Sequence, residues 1–97
     1  MIDLDEQSLS IVKQILSENL PNIPVWAFGS RVTGGAKKNS DLDLVIKGKQ
    51  KLDWQIIESI KDKFSDSMIP ICIDLIDWHT LDESFKQIIL NNYEVIK

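Results

Sequence analysis

Residues 5–20 place apolar side chains at the spacing of one face of an amphipathic helix. The same spacing returns over residues 53–65 and again after residue 80, so the chain carries three predicted helices. Asp53 is predicted to cap the second helix, and Thr80 or Asp82 to begin the third. The predicted apolar faces consist of Leu9, Val12, Ile15, Leu16 and Leu20; of Trp54, Ile57, Ile60 and Phe64; and of Phe85, Ile88 and Ile89.

Three short apolar runs between these helices predict strands at residues 23–28, 41–47 and 71–77. The first run is apolar enough to be buried on both faces, whereas the second alternates between apolar and polar positions. Residues 93–96 predict a short terminal strand or a docked tail. The order helix, strand, strand, helix, strand, helix predicts an α+β fold, with helices packed on a small mixed sheet.

Composition indicates an ordinary globular protein rather than a disordered one, since 43% of the 97 residues are hydrophobic and 27% are charged. We expect residues 1–97 to form a single domain. No apolar run approaches the ~20 residues that span a bilayer, and the N-terminus does not resemble a signal peptide. Together with the single Cys72, this predicts a cytoplasmic protein without a membrane partner.

The most informative chemical pattern joins the first two predicted strands. Gly29-Ser30 ends the first strand, and Asp41 and Asp43 open the second. Positions two apart in a strand share a face, and adjacent carboxylates repel each other unless a proton or a cation lies between them. Hard oxygen ligands of this kind suit Mg²⁺, which proteins usually hold together with substrate phosphates. The ten residues between Ser30 and Asp41 allow the chain to return as a neighbouring strand, which brings the Gly-Ser turn close to the carboxylates.

The connection between these strands is basic. Residues 31–51 contain six of the chain's 11 Lys and Arg residues, although the net charge of the whole chain is −4. Backbone N–H groups, the Ser30 hydroxyl and Arg31 are candidates to hold phosphate oxygens, while Lys37 and Lys38 fit solvated loop charges equally well. The pattern therefore predicts a nucleoside triphosphate site, with a helical turn after Ser30, and no broad nucleic-acid binding.

A third carboxylate, Asp74, lies within the last apolar run. A charge there would be unfavourable unless it faced a polar site, and two-metal transfer of a phosphoryl or nucleotidyl group requires more than one pair of acids. Asp74 is therefore the candidate that binds the catalytic ion and helps to deprotonate the acceptor hydroxyl. Asp77 is three residues further on and faces the opposite way, so we interpret it as a cap at the strand end.

Gly-Ser, ten residues, Asp-x-Asp, an apolar run and a third acid resemble the signature of the DNA polymerase beta-like nucleotidyltransferase superfamily. Within it, the chain is most similar to the minimal nucleotidyltransferases, or MNT proteins, over nearly its whole length. The resemblance implies a nucleotidyltransferase fold that transfers NMP, expected to be AMP from ATP, onto a hydroxyl with two Mg²⁺ ions. It implies catalytic and metal-binding roles for Asp41, Asp43 and Asp74, and nucleotide-binding roles for Gly29, Ser30 and Arg31.

The same resemblance implies a partner. MNT proteins are often encoded beside a small all-helical HEPN-like toxin, and they act as antitoxins that adenylylate a tyrosine or another hydroxyl of that toxin. Two alternatives remain open. The chain could neutralise its partner by contact alone, or it could be a small-molecule nucleotidyltransferase resembling the aminoglycoside-modifying enzymes, with its substrate domain on a separate chain.

Several conspicuous side chains have structural interpretations instead. Ser30 could be a helix cap, and Asp41 and Asp43 on their own would be solvent-facing residues at a strand start. Cys72 is predicted to be a buried packing residue, and His79, which has no partner at metal-ligand spacing, to be structural or exposed. Trp26, Trp54 and Trp78 are predicted to lie mainly in the core or in an interface.

Overall fold

The computed structural model describes residues 2–97. Its elements follow the order that the hydrophobic pattern predicts, and their boundaries differ from the predicted ones by at most two residues. The predicted turn after Ser30 is present as a short helix. The elements are α1 (Glu6–Asn19), β1 (Val25–Phe28), α2 (Ser30–Thr33), β2 (Leu42–Ile46), α3 (Trp54–Ser65), β3 (Ile73–Asp77), a 3₁₀ turn (Trp78–Thr80), α4 (Glu83–Asn91) and β4 (Glu94–Val95).

The four strands form one mixed sheet in the order β3–β2–β1–β4. β1 runs antiparallel to both β2 and β4, whereas β2 and β3 are parallel. Parallel neighbours require a crossover connection, and α3 provides it. The predicted α+β fold with a mixed sheet is therefore confirmed, and the terminal residues form the short strand that was one of the two predicted outcomes.

Alternation along β2 decides which side chains reach each face of the sheet. Leu42, Leu44 and Ile46 belong to the main core, which also contains buried residues of α1 and α3. Val45 lies on the second face, where it packs in a smaller cluster with Ile89 of α4. Asp43 shares the face of Val45, so this carboxylate stands on the face that the two long helices leave uncovered.

Aspartates cap the three longer helices. Asp5 accepts a hydrogen bond from the Ser8 N–H at 3.0 Å, and this bond lowers the pKa of the Asp5 carboxyl. Asp53 caps α3, as predicted, and Asp82 rather than Thr80 begins α4. None of the helices within residues 2–97 is long and apolar enough to cross a bilayer.

Cys72 and Trp54 are more exposed than the apolar pattern around them predicts. Cys72 is exposed, because β3 begins only at Ile73 and lies at the edge of the sheet. Trp54 is 67% exposed in the first turn of α3, so the buried stripe of that helix rests on Ile60 and Phe64. In both cases an apolar side chain lies at the end of an element, where no neighbouring element covers it.

Candidate active site

The predicted site residues meet at one end of the sheet, where β1 ends and the parallel strands β2 and β3 begin. Phe28, the last residue of β1, pairs with Asp43 in the antiparallel register. Asp43 in turn pairs with Asp74 in the parallel register. Gly29, Asp43 and Asp74 therefore follow one another across three neighbouring strands, and Asp41 directly precedes β2. The return of the chain beside its Gly-Ser turn is the arrangement that the ten-residue spacing predicts.

Gly29 occupies a position that no other residue could take without a rearrangement. Its φ of +83° lies in the region that side chains disfavour. In addition, a Cβ at this position would overlap Oδ2 of Asp43. The missing side chain thus lets the backbone at the start of α2 approach the carboxylate closely.

The negative charge of Asp43 is in the least favourable environment of the three carboxylates. Partial burial raises the pKa of its carboxyl, and the neighbouring charges of Asp74 and then Asp41 raise it further. Asp41 and Asp74 are themselves exposed. Removal of negative charge, or addition of a cation, would therefore reduce the repulsion among the carboxylates at this end of the sheet.

The donor set fits a metal ion that takes oxygen ligands from both protein and substrate. Across residues 2–97, no three acidic, histidine or cysteine side chains lie together in a group that could hold a metal ion by themselves. Mg²⁺ is usually held by one or two carboxylates with phosphate and water oxygens filling the remaining positions, so a partial set of carboxylates suits it.

Ser30 is the first residue of α2, half-buried directly after Gly29. The interpretation of Ser30 as a helix cap is wrong, because Gly29 occupies that position and no side chain caps this helix. The amides of Val32 and Thr33 both donate to the Gly29 carbonyl at 3.0 Å, which fixes the turn. Ser30 is thereby held next to the carboxylate end of the sheet.

Arg31 has a structural role in place of the predicted phosphate contact. The residue is only 7% exposed, and its guanidinium makes four hydrogen bonds to backbone carbonyls. These carbonyls belong to Asp3 at 2.6 Å, Lys37 at 3.3 Å, Lys38 at 3.1 Å and Ser40 at 2.9 Å. Arg31 therefore ties the loop between β1 and β2 to the first residues of the chain, while the side chains of Lys37 and Lys38 stay exposed.

Ser40 is a residue that the sequence analysis did not single out. Its hydroxyl accepts a hydrogen bond from the Lys37 N–H at 2.8 Å, and its carbonyl accepts one from Arg31. These bonds close the last turn of the loop directly before Asp41. The Asn39-Ser40 pair, which is typical of turns, was the signal that could have indicated it.

The tryptophans of the second face contact other aromatic rings and a lysine. Trp26 meets Trp78 edge-on, with ring centroids 5.9 Å apart, and stacks on Tyr93 at 4.1 Å. The amine of Lys47 lies 4.5 Å from the Trp78 ring. Trp26 and Trp78 are therefore packing residues, as predicted. His79 is exposed, also as predicted, with Nε2 2.7 Å from the Gly48 carbonyl oxygen.

Comparison with known proteins agrees with this geometry. The profile of the family "Polymerase beta, Nucleotidyltransferase" matches residues 10–97. The probable protein adenylyltransferase MntA of Haemophilus influenzae is 47% identical over 96 residues, which cover 99% of this chain and 84% of that protein.

Solved structures show the same fold. A chain in the crystal structure of a toxin–antitoxin with AMP-PNP superposes with a TM-score of 0.77 at 20% identity, over 92% of this chain and 72% of that one. A chain in the structure of a tri-AMPylated HEPN toxin of Shewanella oneidensis in complex with MNT antitoxin gives 0.73 at 16% identity, over 97% and 72%. The predicted nucleotidyltransferase fold and the resemblance to MNT proteins are both confirmed. This chain belongs to the polymerase beta nucleotidyltransferase family and is a homologue of the minimal nucleotidyltransferase MntA.

Proposed function

We propose that this chain is a protein adenylyltransferase that moves AMP from ATP onto a hydroxyl of a helical HEPN-like partner, and that it thereby acts as an antitoxin. The observation that carries the proposal is the alignment of Gly29, Asp43 and Asp74 across three neighbouring strands. The 47% identity to MntA and the tri-AMPylated toxin bound to MNT antitoxin in a structural relative support the choice of AMP and of a protein acceptor.

Different residues of the chain would bind the nucleotide and the metal ions. The open backbone at Gly29, together with Ser30, would hold the β- and γ-phosphates of ATP. Asp41, Asp43 and Asp74 would hold two Mg²⁺ ions. When bound, these ions neutralise phosphate charge and acidify the attacking hydroxyl.

Asp74 would take the proton of the acceptor hydroxyl as the hydroxyl oxygen bonds to the α-phosphorus. The bond from that phosphorus to the bridging oxygen then breaks, and pyrophosphate leaves. Asp74 suits this role because it is exposed to an approaching acceptor, whereas Asp43 is partly buried between its neighbours.

Intact-mass measurement of the HEPN-like partner tests the proposal. After incubation with this chain, ATP and Mg²⁺, the partner should gain one or more AMP units. Asp43→Asn should lower the rate at least roughly 10²–10³-fold, which is the range for loss of one preorganised electrostatic group. Asp62→Asn, which alters an exposed carboxylate of α3, is the matched control and should keep the native rate.

Equal modification by Asp43→Asn and the native chain would contradict the assignment of the carboxylates. A stable complex without any mass gain would favour neutralisation by contact alone. Adenylylation of an aminoglycoside, with none on the partner, would favour a small-molecule acceptor.

A further inference from the structure

The order of the strands makes the two sides of Asp43 different. Gly29, at the end of β1, lies on one side of Asp43, and Asp74 of β3 lies on the other side. β3 is an edge of the sheet, while β1 is covered by β4 on its far side. If ATP phosphates occupy the Gly29 side, the open edge of β3 offers the acceptor hydroxyl a route to Asp74 that does not cross the nucleotide.

A cavity of about 410 Å³ lies at that edge, between the C-terminal part of α3 and the segment that leads into β3. Its volume is within the range of about 300–1,000 Å³ that is typical of ligand cavities. Asp74 is among the residues that line it, so the cavity adjoins the residue that we assign to the acceptor. We call it the acceptor cavity; Lys61, Phe64, Ile69, Ile71, Cys72 and Asp74 are among the residues that line it.

The chemistry of the acceptor cavity is divided between an apolar floor and a polar rim. Phe64 is buried, and Ile69 and Ile71 are half-buried against the main core. Cys72 is exposed, and its carbonyl is bound to the Leu42 N–H at 3.0 Å, which fixes the backbone of this wall to β2. Such a lining suits an apolar or aromatic side chain with a polar end.

We infer that the acceptor cavity receives an extended segment of the partner protein, which lies along the free edge of β3 and brings its hydroxyl to Asp74. An edge strand offers unpaired backbone groups to an extended segment, and the adjacent cavity selects its side chains. This inference rests on the proposed adenylyltransferase function and names the surface by which that function selects its acceptor.

Cys72 allows a direct test because it is the only cysteine of the chain, is exposed, and lines the acceptor cavity. Alkylation of Cys72 with N-ethylmaleimide should raise the KM for the partner protein at least about tenfold, which is the signature of lost acceptor binding. The affinity for a fluorescent ATP analogue should change less than about twofold, since the nucleotide lies on the far side of Asp43.

The control moves the thiol to the opposite end of the sheet. Gln50 lines a separate cavity with Lys47, Gly48 and His79, beyond the last residue of β2. The double variant Cys72→Ser with Gln50→Cys should show the same KM before and after alkylation.

Three outcomes overturn the inference. If the KM is unchanged after Cys72 alkylation and the unmodified chain transfers AMP fully, the acceptor cavity does not bind the partner, but the proposed function stands. Loss of ATP-analogue affinity would instead place the nucleotide at this edge. If the unmodified chain transfers no AMP, both the proposed function and this inference are wrong.

Discussion

Asp43 and Asp77 are partly or fully buried carboxylates on neighbouring strands, and the protein treats them in opposite ways. Asp77 is 3% exposed at the end of β3 and accepts hydrogen bonds from the N–H groups of Leu52 at 2.8 Å and His79 at 2.9 Å. The carboxylate of Asp43, near the start of β2, is only partly buried and receives no hydrogen bond from residues 2–97, and its pKa is raised by burial and by two like charges.

The comparison separates a structural acid, Asp77, from Asp43, the acid to which we assign a role in the site. Buried carboxylates normally receive hydrogen bonds that compensate for lost hydration, as Asp77 does. A carboxylate left without such compensation leaves oxygen lone pairs for a ligand outside the chain. Burial alone would rank Asp77 first as a site residue, whereas the absence of hydrogen bonds to the Asp43 carboxylate favours Asp43.

Removal of Asp77 should produce the largest change in stability. Asp77→Ala leaves two N–H groups without their acceptor, and it should lower the free energy of unfolding by about 2–4 kcal/mol. Urea denaturation at neutral pH measures this loss. Asp53→Ala is the matched control, because Asp53 is an exposed cap that accepts one N–H group, and its loss should be only about 1 kcal/mol. Equal losses in the two variants would remove the distinction between Asp77 and an ordinary cap.

Removal of the Asp43 charge should have the opposite sign. In buffer with EDTA, Asp43→Asn should raise the free energy of unfolding by about 1 kcal/mol or less, as expected for like charges partly screened by solvent. Because the folded-state pKa is raised, the native penalty is absent below the unfolded pKa and complete above the folded one. The gain should therefore grow as pH rises through that interval.

Thermal unfolding in the presence of Mg²⁺ and ATP sharpens the same comparison. These ligands should raise the Tm of the native chain and leave that of Asp43→Asn nearly unchanged. A variant that is less stable than the native chain in EDTA would show that Asp43 has a structural role after all.

The smallest effect is expected at Asp5. Its pKa is lowered by the Ser8 N–H, so the stability that Asp5 contributes is present above the unfolded pKa and is lost as pH falls through the lowered folded value. Asp5→Asn keeps a good capping group without the charge, so it should flatten the acid side of the stability profile. Urea midpoints measured between pH 2 and pH 7 would detect it; an unchanged acid slope would contradict this assignment.

The sequence predicted the features that depend on local spacing. Alternation along residues 41–47 places Asp43 opposite the main core, and the ten-residue spacing returns it to Gly29, so both follow from the chain itself. The placement of Asp74 beside Asp43 follows once β2 and β3 are neighbours, because both acids are the second residue of their strand.

The roles of Arg31 and Cys72 could not be predicted in the same way. The four carbonyls around Arg31 come from residues 3, 37, 38 and 40, and no local sequence pattern predicts that they lie together. Cys72 lies in an apolar run that is typical of a buried strand, yet it precedes an edge strand, and strand order is a property of the whole fold.

The order of the strands also bears on how such an enzyme can change its target. The turn to which we assign the nucleotide and the edge to which we assign the acceptor lie on different strands, with Asp43 between them. If the acceptor binds as we propose, mutations in residues 69–73 would alter acceptor choice and leave the donor half of the site unchanged. When the sequence of the partner changes during evolution, substitutions along the β3 edge would restore binding while the catalytic carboxylates stay the same.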